Sequence, residues 1–221
     1  WAPGERLPSE TALARRFGVN RHTLRRATAL LAEEGLVHVR RGAGATVTQR
    51  VADYPIGART RFTENLRRAG REPARAFLSM ETAGARRAEA EALGLAEGDR
   101  VHCAETLHFA DAVPVAASRS AWPAAALPGF LEALAREASV TRALAACGVE
   151  DYARAWTRLT AERAGALLAR QLRVQDGTPV IRAEALSHDP AGRPIEYALT
   201  WFCTDRMPVM LDTSGATPPL G

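Results

Sequence analysis

Hydrophobic residues recur every three or four positions over residues 21–34, a pattern that predicts an amphipathic helix. One face of this helix carries Leu24, Ala27 and Leu31. Arginines and a histidine spread over the opposite side. The helix is expected to run from its favoured N-cap residue, Asn20, to about Glu34.

A shorter helix is predicted immediately before it. Ser9 is a favoured cap for a helix from Glu10 to about Phe17, and Leu13 and Phe17 lie one turn apart on its expected inner face. Gly18 is favoured just after the end of such a helix. Residues 18–20 are therefore predicted to form a tight turn between the two helices.

Two short apolar stretches follow, at residues 36–40 and 45–48. They are predicted to form a hairpin whose tip, residues 41–44, carries an arginine and two glycines. Two helices, a tight turn and a hairpin are the order of a winged helix-turn-helix. Small residues at the tip would let the backbone approach the minor groove of DNA, although a solvated hairpin tip fits the same pattern.

The rest of the chain mixes strands and helices. Residues 51–59 contain a proline and a glycine, show no clear period and are predicted to form a linker. Strands are predicted over residues 76–83, 101–109, 113–121, 152–160, 178–188 and 195–203, and helices over 60–70, 85–93, 128–137, 139–147 and 161–171. Because several of these strands are joined as hairpins, we expect an α+β domain with an antiparallel sheet covered by helices on one side.

Charge is distributed unevenly along the chain. Residues 1–50 carry nine arginines and four acidic residues, a net charge of +5, whereas the remaining 171 residues have a net charge of −1. The basic excess therefore lies entirely in the segment that is predicted to bind a polyanion. The arginines of the second helix could read base edges or phosphates, and an ordinary amphipathic helix with a solvated basic face is the alternative.

Other residue types limit the function classes. No apolar run approaches the ~20 residues that span a bilayer, so no membrane segment is expected. Three cysteines, far apart and odd in number, indicate a reducing cytoplasm and neither a disulfide framework nor a zinc site. We find no catalytic Ser/His/Asp order, no metal-binding spacing and no glycine-rich phosphate loop, so neither catalysis nor a cofactor or metal is predicted.

The N-terminal region resembles the GntR family of bacterial transcription regulators. The resemblance lies in residues 3–10, 17–27, 34–36 and 41–47. It implies that operator DNA is contacted by Thr11, Arg21, His22, Thr23, Arg25, Arg41 and Gly42. The first helix of the family would precede Trp1, so the DNA-binding head is expected to lack it.

The C-terminal region resembles the UTRA effector-binding domain of the HutC-type GntR regulators, whose fold is like that of chorismate lyase. Residues 53–56, 61–66 and 19–27 look most like the phosphonate-utilisation (PhnF-type) regulators, and residues 194–197 are typical of the domain. The predicted organisation is a winged helix-turn-helix domain over 1–50, a linker over 51–59 and a UTRA-type effector-binding and dimerisation domain over 60–221.

This resemblance implies a small anionic effector, either a phosphonate, a phosphate ester or a carboxylate. Its expected contacts are Thr60, Arg61, Phe62, Thr63, Glu105, His108, Ser118, Arg154, Arg158, Glu196, Tyr197 and Thr200. The sequence itself partly supports an anionic effector. Arg154, Trp156 and Arg158 occupy alternate positions of a predicted strand, so their side chains are expected on one face, and burying the two arginines there would require an anionic partner. The alternatives are a solvent-facing strand and, at residues 60–63, a simple threonine helix cap.

Glu105 and His108 stand where sugar-phosphate-binding relatives carry arginines. We therefore expect these two residues to recognise an ammonium group, as in an aminoalkylphosphonate, while guanidinium groups elsewhere meet the phosphonate.

The predicted function is that of a ligand-responsive, dimeric transcriptional regulator, most readily a repressor of phosphonate uptake or metabolism genes. One alternative is a chorismate-lyase-like enzyme with acid/base groups among Glu105, His108, His188 and Glu196. Another is a small-molecule-binding module with a vestigial DNA-binding head.

Overall fold

A computed structural model describes residues 1–2, 4–34, 36–40, 44–47, 53–57 and 62–211, without the side chains of His38 and Arg40. The chain divides into two compact units, Trp1–Val51 and Ala52–Gly221. Within the described ranges, no helix is long and apolar enough to cross a membrane.

The first unit contains two helices and a hairpin. These elements are α1 (Glu10–Phe17), α2 (Arg21–Glu33), β1 (Val37–Arg40) and β2 (Gly44–Val47), with the two strands antiparallel. The predicted caps are confirmed, because Ser9 Oγ accepts from the Ala12 N–H and Asn20 Oδ1 accepts from the Thr23 N–H at 2.8 Å. Gly18 ends α1 at a φ of 65°, a conformation that favours glycine.

The apolar core of this unit is smaller than predicted. Its buried cluster consists of Leu13, Ala14 and Leu24, with Leu7 packed against them, and Val37 of β1 is also buried. Phe17 is 55% exposed, and Ala27 and Leu31 are also exposed, so the predicted inner faces of both helices are only partly correct. Among the described residues, the predicted apolar stripe of α2 is therefore buried at Leu24 and exposed at Ala27 and Leu31.

The second unit is built on a six-stranded antiparallel sheet, which confirms the predicted α+β class. The strand order is β4-β5-β6-β9-β8-β7. Its elements are β3 (Tyr54–Ile56), α3 (Phe62–Arg68), β4 (Pro73–Gly84), α4 (Arg87–Leu93), β5 (Arg100–Ala110), β6 (Val113–Pro123), α5 (Phe130–Glu137), α6 (Val140–Ala146), β7 (Ala153–Arg163), α7 (Ala166–Leu172), β8 (Pro179–His188), β9 (Pro194–Phe202) and β10 (Val209–Leu211).

Helices cover both sides of this sheet, so the prediction of one covered side is wrong. On the side that we call the α4 face, Val101 and Cys103 pack in one cluster with Leu93 of α4, and α7 packs farther along the same face. On the opposite side, the α5 face, Ala104 and Trp122 pack against α5 and α6. Alternate residues of each central strand therefore enter two separate apolar layers.

Two local predictions also need correction. The helix predicted over residues 161–171 begins only at Ala166, because Arg163 still pairs with Pro179 and β7 continues to that point. Tyr54–Ile56, inside the predicted linker, form β3, which pairs in parallel with β10. Pairing with a distant strand stabilises this three-residue segment, which has too few residues to show a period.

Candidate functional site

The exposed side of α2 carries most of the residues that were expected to contact DNA. Arg21, His22, Thr23 and Arg25 are exposed, and so is Thr11 of α1. Arg41 and Gly42 lie outside the described residues. The helix therefore presents a basic surface near its N-terminus, while its Leu24 side faces the core.

An acidic residue of α1 lies against this basic surface. Arg25 Nη2 is 3.0 Å from Glu10 Oε2, and Arg21 Nη2 is 3.9 Å from the same atom. The hydrogen bond from Arg25 holds the pKa of Glu10 below its usual value. Both arginine side chains remain more than 60% exposed, so they are accessible to a nucleic acid.

A cavity of about 560 Å³ lies on the α5 face of the second unit. Hydroxyl groups of Thr106, Ser118, Ser120 and Thr200 lie on three adjacent strands along its floor, and α3 and the start of α6 contribute to its walls. This volume and mixed lining are typical of small-molecule sites.

Two arginines enter the cavity from opposite edges of the sheet. Arg75, on β4, donates from Nη2 to Thr63 Oγ1 at 3.0 Å, and Arg154 comes from β7. In the described part of the chain, no carboxylate oxygen lies within 4 Å of either guanidinium. Burial lowers the pKa of Arg75, a desolvation cost that a bound anion would offset.

His108 lies beside Arg75 on the neighbouring strand. Burial, with a smaller contribution from the Arg75 charge, lowers the pKa of His108 to about 3, so the imidazole is neutral at pH 7. Its Nε2 lies 2.8 Å from Ser118 Oγ. Its Nδ1 is buried and has no hydrogen-bond partner among the described residues, which leaves one ring nitrogen for a ligand or a water molecule.

Aromatic rings close the cavity on the side of α3. The Tyr54 ring lies 4.9 Å from that of Phe202 and 5.9 Å from that of Phe62, and the Phe62 ring lies 4.7 Å from that of His108. Burial raises the pKa of Tyr54, so its hydroxyl stays protonated. These contacts connect β3 to the cavity wall.

The cavity also contains one deeply buried carboxyl group, that of Glu196 on β9. Ser187 Oγ donates to its Oε2 at 3.4 Å, and Ser120 also hydrogen-bonds to it. Burial raises the pKa of Glu196, and the nearby positive charge of Arg154 opposes that shift.

The structure brings together seven of the twelve expected effector contacts. These are Phe62, Thr63, His108, Ser118, Arg154, Glu196 and Thr200. Thr60 and Arg61 lie outside the described residues. The remaining three face away from the cavity, each for a reason that the strand geometry supplies.

Glu105 and Tyr197 lie on the α4 face, opposite the cavity. Glu105 is an odd number of residues from His108, so the two side chains point to opposite sides of β5, and they cannot recognise one ammonium group together. Glu105 instead contacts Arg119 at 3.5 Å. Tyr197 follows Glu196 directly and donates to Glu184 at 3.0 Å.

Arg158 is separated from Arg154 by a β-bulge. The register shifts between Arg154 and Trp156, which places Arg154 on the α5 face but Trp156 and Arg158 on the other. Arg158 is exposed, pairs with Glu184 at 3.5 Å and covers the Trp156 ring. The prediction that these three side chains share one face is therefore wrong.

Several cavity residues were not expected from the sequence. They are Tyr54, Arg75, Thr106, Ser120, Arg142 and Tyr152. A single arginine among small residues on β4 is the one local signal for Arg75. Thr106 and Ser120 reach the cavity through sheet pairing and Tyr54 through the pairing of β3 with β10, whereas Arg142 comes from α6 and Tyr152 from the residue before β7. Of the acid/base candidates, His188 does not line the cavity. The described residues include no group of His, Cys, Asp and Glu that could hold a metal.

Comparison with known proteins places both units in one family. Residues 1–47 match the model of the bacterial regulatory proteins of the gntR family, and residues 68–208 match the UTRA domain. The probable transcriptional regulator PhnF of Escherichia coli is 34% identical over 89% of this chain and 82% of its own. The transcriptional repressor NagR of Bacillus subtilis is 26% identical over 92% and 84% of the two chains.

A solved structure extends the comparison to the whole fold. The crystal structure of PhnF from Mycobacterium smegmatis has a TM-score of 0.67, 26% identity, and covers 98% of this chain and 95% of that chain. PhnF of Escherichia coli and NagR are named as transcriptional regulators and not as enzymes, in agreement with the absence of a predicted catalytic activity.

Proposed function

Because the chain belongs to the GntR family and carries a UTRA domain, we propose that it is a repressor of phosphonate uptake or metabolism genes that responds to a small anionic effector. At the level of the family, the protein is a ligand-responsive transcriptional regulator. The repressor role, the phosphonate genes and the anionic effector are the proposed additions.

The observation that carries the effector class is the pair of arginines in the cavity. A guanidinium that is partly removed from water without a carboxylate partner is unfavourable until an anion meets it. Arg75 and Arg154 reach the same space from two sheet edges, and hydroxyl groups lie between them. A tetrahedral anion such as a phosphonate could accept hydrogen bonds from both guanidinium groups and from those hydroxyls.

The genetic role is supported by resemblance. Residues 53–56 and 61–66 resemble the phosphonate-utilisation regulators, and Tyr54 and Phe62 within them line the cavity. NagR, which is similar to this chain, is named a repressor. A repressor loses operator affinity when its effector binds preferentially to the conformation that does not bind DNA.

On the DNA side, the exposed arginines of α2 would enter the major groove of an operator in the cytoplasm. One short recognition helix reads few bases, so we propose a homodimer on a two-fold operator. The exposed positions of Arg21 and Arg25 and the capping of α2 by Asn20 support the DNA-contacting role of this helix.

The test is a gel-shift titration of the protein on DNA from upstream of its own gene, at several salt concentrations. We expect specific binding that weakens with salt, and a loss of roughly 1–3 kcal/mol for Arg21→Ala and for Arg25→Ala if each reads a base. The matched control is Arg87→Ala, an exposed arginine on α4 that should leave binding unchanged. Wild-type binding that shows no sequence preference would contradict the regulator role.

A further inference from the structure

Glu196 is difficult to reconcile with a ligand that carries only negative charge. Its residue is 7% exposed, and its carboxyl group lines the cavity into which Arg75 and Arg154 extend. In its ionised form this carboxyl group would repel a neighbouring anion and attract a cationic donor, which would in turn offset the rise in its pKa that burial causes. A site that takes a simple anion would be expected to carry only hydrogen-bond donors at this position.

The neighbouring groups do not neutralise this carboxyl group by direct contact. Its hydrogen bonds come from the hydroxyls of Ser187 and Ser120, which are uncharged donors. In the part of the chain that the structure describes, no guanidinium nitrogen lies within 4 Å of its oxygens. The charges of Arg154 and Arg75 oppose the rise in the pKa of Glu196 that burial causes, and all three side chains line the same cavity.

Arg75, Arg154 and Glu196 enter the cavity from three different strands. Arg75 is on β4 at one edge of the sheet, Arg154 is on β7 at the other, and Glu196 is on β9 between them. The hydroxyl-bearing floor separates Glu196 from Arg75. A compact ligand with an anionic group at one end and a cationic donor at the other would satisfy both the guanidinium groups and Glu196.

We propose that the effector is a small zwitterion whose ammonium group donates to Glu196 while its phosphonate or phosphate group accepts from Arg75 and Arg154. This assignment rests on the proposed function, because it assumes that an anion binds in the cavity. The ammonium group would then be recognised by Glu196, which lines the cavity, and not by Glu105, which was expected from the sequence but lies on the opposite face of the sheet.

Isothermal titration calorimetry with matched ligand pairs tests this assignment. One pair is 2-aminoethylphosphonate and ethylphosphonate, and the other is phosphoethanolamine and ethyl phosphate. We expect each amino compound to bind at least ten times more tightly than its amino-free partner. The pair with the higher affinities distinguishes a phosphonate from a phosphate ester as the natural source.

Variants show whether Glu196 causes the preference. Glu196→Gln should reduce the ratio within each pair to near one, whereas Glu105→Gln, on the opposite face of the sheet, should keep the wild-type ratio. A second test needs no variant. The N-trimethylated form of 2-aminoethylphosphonate keeps its positive charge but has no N–H donor, so it should bind wild type more weakly than 2-aminoethylphosphonate.

Equal wild-type affinities within each pair, or a ratio that survives Glu196→Gln, would overturn the assignment of the ammonium group. In that case, binding of ethylphosphonate would leave the anionic effector of the proposed function in place. If none of the four compounds binds, both the zwitterion and the phosphonate-type effector are refuted.

Discussion

Replacing Arg75 by methionine separates a ligand-binding arginine from a structural one. Arg75 is half-buried without a carboxylate partner in the described part of the chain, and its hydrogen bond goes to Thr63 Oγ1. A hydrogen bond between charged groups contributes about 1.5–3 kcal/mol, so Arg75→Met should weaken ethylphosphonate binding roughly 10- to 150-fold. The free energy of unfolding should stay the same or rise by about 1 kcal/mol, because a poorly solvated charge is removed.

Arg119 is the matched control, because it is also buried but lies on the α4 face. Its Nε is 3.0 Å from Glu89 Oε1, and the two side chains are 11% and 5% exposed. Arg119→Met leaves the Glu89 carboxylate buried without its partner, which should cost about 3–5 kcal/mol of unfolding free energy. Ethylphosphonate affinity should not change while the protein remains folded.

Calorimetry and urea unfolding of both variants give the two measurements. The reasoning would be refuted if Arg75→Met destabilised the protein as strongly as Arg119→Met and kept its anion affinity. Arg75 would then be a structural residue, and the cavity would need another explanation for its charge.

Three further predictions concern other sites. In the unfolded chain His108 has a pKa near 6.5, whereas burial lowers its pKa in the folded protein to about 3. The free energy of unfolding of the wild type should therefore decrease between pH 6.5 and pH 4. In His108→Asn this decrease should be smaller by on the order of 3 kcal/mol when it is measured by urea titration. Identical pH profiles of the two proteins would argue against the buried, neutral state of His108. Asn20→Ala removes the cap of α2 and should lower the unfolding free energy by about 1 kcal/mol, so an unchanged denaturation midpoint would count against the capping role. Glu10→Gln releases Arg25 and should tighten DNA binding several-fold at low salt, an advantage that should shrink as salt is added; a gain independent of salt would exclude an electrostatic cause.

Elements specified by local chemistry could be predicted from the sequence. Asn20 and Ser9 cap α2 and α1 as expected, because their side chains bond to backbone groups only three residues away. The hairpin of β5 and β6 turns at Asp111, close to the expected position. The buried extent of the N-terminal core was overestimated, because a periodic pattern shows which face is apolar but not what covers it.

The composition of the cavity depends on features that the sequence does not show. A single register shift between Arg154 and Trp156 places Arg158 on the face opposite Arg154. The sequence of that segment contains no residue that would predict a bulge there. The opposite faces of Glu105 and His108, by contrast, follow from their spacing of three residues along one strand and could be predicted from the sequence. The role of Tyr54 could not be predicted, because it lies in the predicted linker and its strand forms only by pairing with β10, about 150 residues later.

The most direct test of ligand-responsive repression is fluorescence anisotropy of labelled operator DNA, titrated with protein in the presence and absence of saturating 2-aminoethylphosphonate. We expect the ligand to weaken operator binding by the wild type at least tenfold and to leave operator binding by Arg75→Met unchanged. Ligand-responsive repression would be contradicted if the wild type bound the operator equally well with and without the ligand, under conditions in which calorimetry shows that the cavity is filled.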